Sequence, residues 1–183
     1  MNADPKDELV THLGSMRAFA MSLTRNPALA DDMVQDALVK AWSNIDSFQP
    51  GTNMRAWLFT ILRNTYYSHH RKRKREVEDT EGELSAGLAQ KPDHDGRLQM
   101  RDFNTAFGVL PEEQREALVL VGAGGFSYEE AAETCGVAVG TIKSRVNRGR
   151  ARLVELMDMS DEEPMEVTEV VTQGIVTMNQ SIA

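Results

Sequence analysis

The stretch from Ser127 to Met157 constrains the fold more than any other part of the chain, because two helical patterns are separated there only by Cys135-Gly136-Val137. Ser127 and Glu130 stand in capping-box spacing ahead of Ala131 and Ala132. A short helix is expected to run to Thr134, and a second from about Val139 to Met157. Two helices joined by so short a glycine-containing turn make a helix-turn-helix, whose second member normally enters the major groove of DNA. At about 100° per residue, Val139, Ile142, Val146, Gly149 and Leu153 fall on one side and should pack inward. The opposite side is centred on Gly140, Ser144, Asn147, Arg148 and Ala151, with Lys143, Arg145, Arg150 and Arg152 flanking it. Small and hydrogen-bonding groups can approach base edges there while the cations hold phosphates. The bland alternative is a solvated basic face, disfavoured because five cations have no acid at i,i+4 to pair with.

Upstream, Asn26-Pro27 marks a helix start, with a capping side chain and a proline whose missing N–H costs nothing at the first position. Val34, Leu38, Ala41, Trp42 and Ile45 recur at helical spacing and are expected to form its buried stripe. Phe48 to Asn53 is a loop, Asn53 can cap the next helix, and Trp57, Leu58, Ile61 and Leu62 supply an apolar face to a helix from Met54 to about Arg71. Leu9 to Leu23 completes a three- or four-helix bundle. Residues 76–97 are rich in Glu, Asp, Gly, Ser, Pro and Lys and read as a flexible acidic linker. Leu110-Pro111-Glu112-Glu113 starts another helix with acids in its first turn, and a glycine-rich break is expected at Gly122 to Gly125. The expectation is an all-α chain of two small helical domains, 1–75 and 98–157, with an acidic tail at 158–183 expected to be disordered alone.

The formal charge of −8 looks wrong for a nucleic-acid binder until the charges are located. Arg63 and the run Arg71, Lys72, Arg73, Lys74 and Arg75 form one cluster, and Lys143 to Arg152 the other. Together they hold 11 of the 20 cations with no acid inside either window, so the remainder carries 9 cations against all 28 acids. Two basic patches on an acidic body suggest two phosphate contacts. In the first, Arg63, Asn64, Tyr66, Tyr67, His69 and His70 mix cations, amide and rings as a surface for stacked single-stranded bases would. Tyrosines in the core beside a solvated helix end remain an alternative. Asp32, Asp36 and Val39 lie away from the apolar stripe of their helix, either as a docking face for a basic protein or as an ordinary solvated face.

Several classes are disfavoured. Met1 to Val10 carries Asp4, Asp7 and Glu8 and no apolar run, so neither a signal nor a transit peptide is expected. The most apolar window, Ala117 to Phe126, is interrupted by three glycines and is far shorter than the roughly 20 residues of a membrane helix. A cytoplasmic protein without membrane contact is expected. The single cysteine, Cys135, precludes an internal disulfide and reads as a small buried thiol. No histidine or cysteine spacing completes a metal site. No cofactor, small-molecule substrate or catalytic residue is expected.

Over residues 9 to 157 these elements, in this order, resemble the extracytoplasmic-function sigma factors. ADDMVQDALVKAW, from Ala30 to Trp42, looks like the polymerase-binding helix of sigma region 2. The loop and helix from Phe48 through Asn64 to Arg75 look like the reader of the minus-ten promoter element, and SYEEAAETCGVAVGTIKSRVNRGRARL matches the region 4 helix-turn-helix. The resemblance implies that Asp32, Gln35, Asp36 and Val39 bind core RNA polymerase. It implies that Phe48, Asn53, Arg63, Asn64, Tyr67 and Arg71 engage the minus-ten strand of promoter DNA. It implies that Gly140, Thr141, Lys143, Ser144, Arg145, Asn147, Arg148 and Arg150 engage the minus-thirty-five duplex. LRNTYYSHHRKRKRE and the block from Leu110 to Leu153 look most like the alphaproteobacterial general-stress sigma factors, which implies a small NepR-like anti-sigma factor as a further partner. A sigma-like mimic that sequesters the anti-sigma factor without binding DNA is the main alternative. It has no need of Arg71 to Arg75 or of Lys143 to Arg152. A regulator acting without polymerase would need a ligand pocket or dimer seam that the sequence does not show.

Overall fold

The computed structural model describes residues 5–78 and 96–157, which form eight α-helices. The first unit contains α1 (Pro5–Thr11), α2 (Leu13–Thr24), α3 (Pro27–Ser43) and α4 (Met54–Glu78). The second contains α5 (Gly96–Val109), α6 (Glu112–Leu118), α7 (Tyr128–Cys135) and α8 (Val139–Leu156). No strand occurs among the described residues. The expected acidic tail at 158–183 and most of the expected linker lie outside them.

Local signals place the helix ends. The Asn26 side chain accepts from the Leu29 N–H at 3.1 Å, and Pro27 occupies the first turn of α3. Asn53 Oδ1 accepts from the Ala56 N–H at 3.1 Å and starts α4. Helix α4 continues to Glu78, beyond the expected end near Arg71 and into the segment assigned to the linker. Nothing in its sequence after Arg71 breaks a helix, and proximity to the C-terminus suits the cations.

The stripe that α3 buries is Ala30, Met33, Val34, Ala37 and Ala41. This corrects the expected position of Trp42, which is 56% exposed because it lies one residue, about 100°, beyond Ala41 on the helix. The small residues of the true stripe let α3 approach α2 and α4 closely. The predicted break at Gly122 is also displaced. After α6 the backbone widens into a single π turn, Val119–Ala123, which keeps Val119 and Leu120 buried, and the turn ends at Gly124 and Gly125. Gly124 lies so near the Leu120 carbonyl that a Cβ would meet that oxygen at 2.7 Å, and Gly125 has φ +65°.

The two units share one apolar core. The Phe19 and Phe59 rings are 5.1 Å apart and Phe59 and Phe126 5.0 Å apart, so an aromatic chain runs from α2 through α4 to the loop before α7.

Candidate nucleic-acid and polymerase interfaces

The helix-turn-helix is fixed by its caps and its inner face. Ser127 Oγ accepts from the Glu130 N–H at 3.1 Å while a Glu130 carboxylate oxygen accepts from the Ser127 N–H at 2.8 Å, closing the expected capping box. At the other end of α7, Gly136 takes φ +66° and the Val137 N–H reaches the Ala132 carbonyl at 3.0 Å. Ile142, Val146, Gly149 and Leu153 of α8 are buried, as their spacing predicts. Gly149 lets α8 come close to α6, since a Cβ there would meet Leu118 Cδ1 at 2.8 Å and the leucine would have to shift.

With that face locked, α8 turns the other outward. Gly140, Lys143, Asn147 and Arg148 are exposed, and Thr141, Ser144, Arg145 and Arg150 are half-buried. Among the described residues, only Arg152 of the five cations forms an ion pair, with Glu155 at 2.7 Å. Lys143 Nζ lies 5.7 Å from the centre of the Tyr128 ring, and Arg148 Nε donates to the Ser144 carbonyl at 3.3 Å. Cys135 is buried, and desolvation next to Glu116 pushes its thiol up to about 12.

On α3, Asp32, Gln35, Asp36 and Val39 are all exposed on one face, with Val39 at 66%. Trp42 extends that face. An apolar pair among carboxylates has the character of a protein-docking surface.

Helix α4 has two faces of different character. Trp57, Ile61, Asn64 and Ser68 recur at spacings of three and four, and with Lys40, Asn44, Ser47 and Thr65 they line an open pocket of about 370 Å³. Arg71 continues this face and is exposed. Lys40 Nζ donates to Thr65 Oγ1 at 2.9 Å, bracing the pocket wall. The other face carries Arg55, Phe59, Arg63, Tyr66 and Tyr67, and it is turned toward the second unit. Arg63 Nε donates to Glu116 Oε1 at 2.6 Å, and Glu116 has no solvent exposure. The Arg63 guanidinium also covers the Tyr67 ring at 4.6 Å. Tyr66 donates to Glu112 at 3.1 Å, and burial followed by nearby carboxylates raises both phenols. Arg55 donates to the carbonyls of Gly124 and Gly125 at 2.8 and 3.2 Å. Asn53 reaches Glu130 at 2.5 Å.

The structure therefore divides the residues expected to engage the minus-ten strand. Asn64 and Arg71 stand on the open pocket face. Arg63, Tyr67 and Asn53 are engaged by the second unit. Phe48 is 8% exposed and packs on Trp57 with ring centres 5.3 Å apart, beneath the loop and off the open pocket face. Of the two histidines, His70 is exposed and His69 half-buried. The sequence reading missed Lys40, Asn44 and Trp57 as pocket-lining groups, since their convergence depends on how α3 crosses α4.

Comparison with known proteins agrees with this architecture. Residues 9–76 match the Sigma-70 region 2 family and residues 100–153 the Sigma-70 region 4 family. The chain is 55% identical over 152 residues to the ECF RNA polymerase sigma factor EcfG of Rhodopseudomonas palustris, covering 83% of this chain and 84% of that protein. Among solved structures it is similar to the sigma factor RpoE of Bartonella quintana, determined in complex with the anti-sigma factor NepR. The TM-score is 0.76 and the identity 52%, over 85% of this chain and 97% of the other. CnrH, solved with the cytosolic domain of CnrY, is similar at 27% identity with a TM-score of 0.57, over 85% and 88% of the two chains. Two helical units in this order, an outward basic recognition helix and these matches have one reading: the chain belongs to the extracytoplasmic-function sigma factors, the subunits that direct RNA polymerase to promoters.

Proposed function

We propose that this sigma factor acts in the cytoplasm on promoters of general stress response genes, and that a small NepR-like anti-sigma factor holds it inactive. The exposed face of α3, with Asp32, Gln35, Asp36 and Val39, docks on core polymerase. The pocket face of α4 receives bases unstacked from the minus-ten strand: Trp57 offers a stacking surface, Asn64 amide hydrogen bonds, and Arg71 a phosphate contact. Helix α8 enters the minus-thirty-five major groove, where Ser144, Asn147 and Arg148 reach base edges and Lys143, Arg145 and Arg150 hold phosphates. No step calls for a nucleophile, a general base or a metal. The chemistry is binding energy spent on opening DNA, a few kcal/mol per unstacked step.

The observation that carries this reading is the outward row on α8, whose cations are largely without acidic partners while the opposite face is locked into the core. A mimic that only sequesters an anti-sigma factor has no use for it. The test is run-off transcription with bacterial core polymerase on stress-type promoters, comparing the intact chain with Arg148→Ala. Promoter-specific transcript that falls in the variant is expected. No transcript from active core on any such promoter overturns the reading in favour of a mimic.

A further inference from the structure

The cations of α8 run along the helix without meeting an acid until Glu155. Glu155 pairs back onto Arg152 at 2.7 Å, with both side chains more than half exposed. Lys143, Arg145, Arg148 and Arg150, further back on the helix, form no ion pair among the described residues. The sequence that follows α8 has the opposite charge. Asp158, Asp161, Glu162, Glu163, Glu166 and Glu169 fall in one short segment, and no Lys or Arg occurs from 158 to 183.

The helix and the segment after it match in length and in charge density. At about 1.5 Å per residue, Arg148 stands about 12 Å and Lys143 about 20 Å behind Leu156. A chain that reverses after Met157 gains up to about 3.3 Å per residue, so Asp161 to Glu163 can come level with Arg152 and Arg148, and Glu166 with Lys143. Asp161-Glu162-Glu163 offers one negative charge per residue, about 3.3 Å apart when extended. One strand of duplex DNA offers one phosphate per roughly 3.4 Å of axis, nearly the same spacing. The run Arg71 to Arg75 on α4 is the rival destination for these acids. Helix α8 is favoured because the segment is continuous with it, and so short a tether gives an effective concentration on the order of millimolar.

We infer that the acidic segment 158–169 docks along the outward face of α8 as an intramolecular stand-in for DNA phosphates, and that promoter DNA must displace it. The inference rests on the proposed role of α8 as the reader of the minus-thirty-five duplex. Docking reduces the affinity of the full chain by the fraction of molecules whose α8 face is uncovered. The displaced segment takes up counterions again, so the full chain releases fewer ions on binding DNA and its affinity falls less steeply with salt. Cognate and unrelated duplexes are weakened by the same factor, because both compete with one segment.

The test compares three proteins: the full chain, the chain shortened after Met157, and a full-length variant carrying Asp161→Asn, Glu162→Gln and Glu163→Gln. Fluorescence anisotropy over a range of salt reads binding to a minus-thirty-five duplex. Zero-length carbodiimide coupling, mapped by mass spectrometry, reads which lysine the carboxylates touch. Shortening is expected to tighten binding by about tenfold at low salt and to steepen the salt dependence, so that the affinities converge at high salt. The neutralised variant is expected to follow in the same direction. In the full chain Lys143 is expected to couple to a carboxylate within 158–169, and added duplex to suppress that coupling. Circular dichroism confirms that the helices persist, and the neutralised variant, from which nothing is removed, carries the test if the shortened chain does not fold. Equal affinities for the three proteins overturn the inference. So does tighter binding without coupling at Lys143, the mark of simple repulsion from DNA, and so does coupling confined to Lys72 or Lys74, which puts the segment on α4. Failure of all three proteins to bind any duplex defeats the DNA-reading role of α8, while coupling at Lys143 still decides whether the segment docks there.

Discussion

Arg63 and Glu116, 53 residues apart in the chain, meet at 2.6 Å across the junction of the two helical units, and the carboxylate they share has no contact with solvent. The pair sits among Tyr67, Cys135 and Arg145, so neither member is easily replaced by water. Removing one partner of a buried pair leaves the other charge stranded. Arg63→Ala should therefore lower stability by an amount near the lower end of the roughly 3–5 kcal/mol typical of such losses, since the guanidinium keeps one fifth of its exposure. Urea denaturation followed by circular dichroism checks this, and an unchanged midpoint would count against the pair as a structural element.

The same carboxylate gives a pH dependence of definite sign. Desolvation raises Glu116 above its ordinary 4.5, outweighing the opposing pull of Arg63. In that case the folded state binds the proton more tightly than the unfolded state, so this group's contribution is full below about 4.5 and is lost as pH rises through the raised value. Asp31, held down by Arg17, and Glu130, held down by the Ser127 N–H, act in the opposite sense and lose their contributions as pH falls. The stability difference between wild type and Glu116→Gln should shrink in favour of the variant as pH is raised from 4.5. Denaturation series at several pH values measure it; a flat difference rejects the assignment.

On α8, two substitutions should behave differently. Arg148→Ala, at the centre of the outward face, should cost about 1–3 kcal/mol against the cognate minus-thirty-five duplex and relax sequence preference there. Lys143→Ala should weaken cognate and unrelated duplexes alike and reduce the slope of log affinity against log salt by about one. Anisotropy titrations over a range of salt separate the two.

The capping box of α7 bears on both domains. Ser127→Ala removes the Oγ acceptor of the Glu130 N–H at the helix start, while the Glu130 carboxylate keeps the backbone N–H of residue 127 and the Asn53 amide. A loss of about 1 kcal/mol is expected from the cap alone. It should appear as a lower thermal midpoint and, because α7 supports α8, as weaker duplex binding. Duplex affinity unchanged at equal folded fraction would show that α7 does not position the recognition helix.

Cys135 should be chemically quiet. Its thiol is buried and pushed up to about 12, so almost no thiolate exists near neutrality. Alkylation in the folded protein should proceed only as fast as the chain opens, and denaturant should release it. Rapid labelling of native protein would mean that the packing of α7 on α8 and α4 opens readily.

Local chemistry determined a good part of this protein. The caps at Asn26, Asn53 and Ser127, the glycine turn at Gly136 and the inward face of α8 all depend on residues within a few positions of one another, so spacing alone reports them. The exposed acids and Val39 of α3 follow from the same periodicity. Trp42, Phe48 and α4 do not. A helix with apolar, aromatic and cationic residues around its circumference offers several faces, and which of them meets a neighbour depends on how the neighbour approaches. Arg63 and Asn64 are adjacent in the chain and look like parts of one nucleic-acid surface, yet they stand about 100° apart on α4, and the second unit takes one of them and leaves the other at an open pocket. That choice depends on α6 delivering Glu116 from 53 residues away, a long-range packing decision that no local pattern encodes.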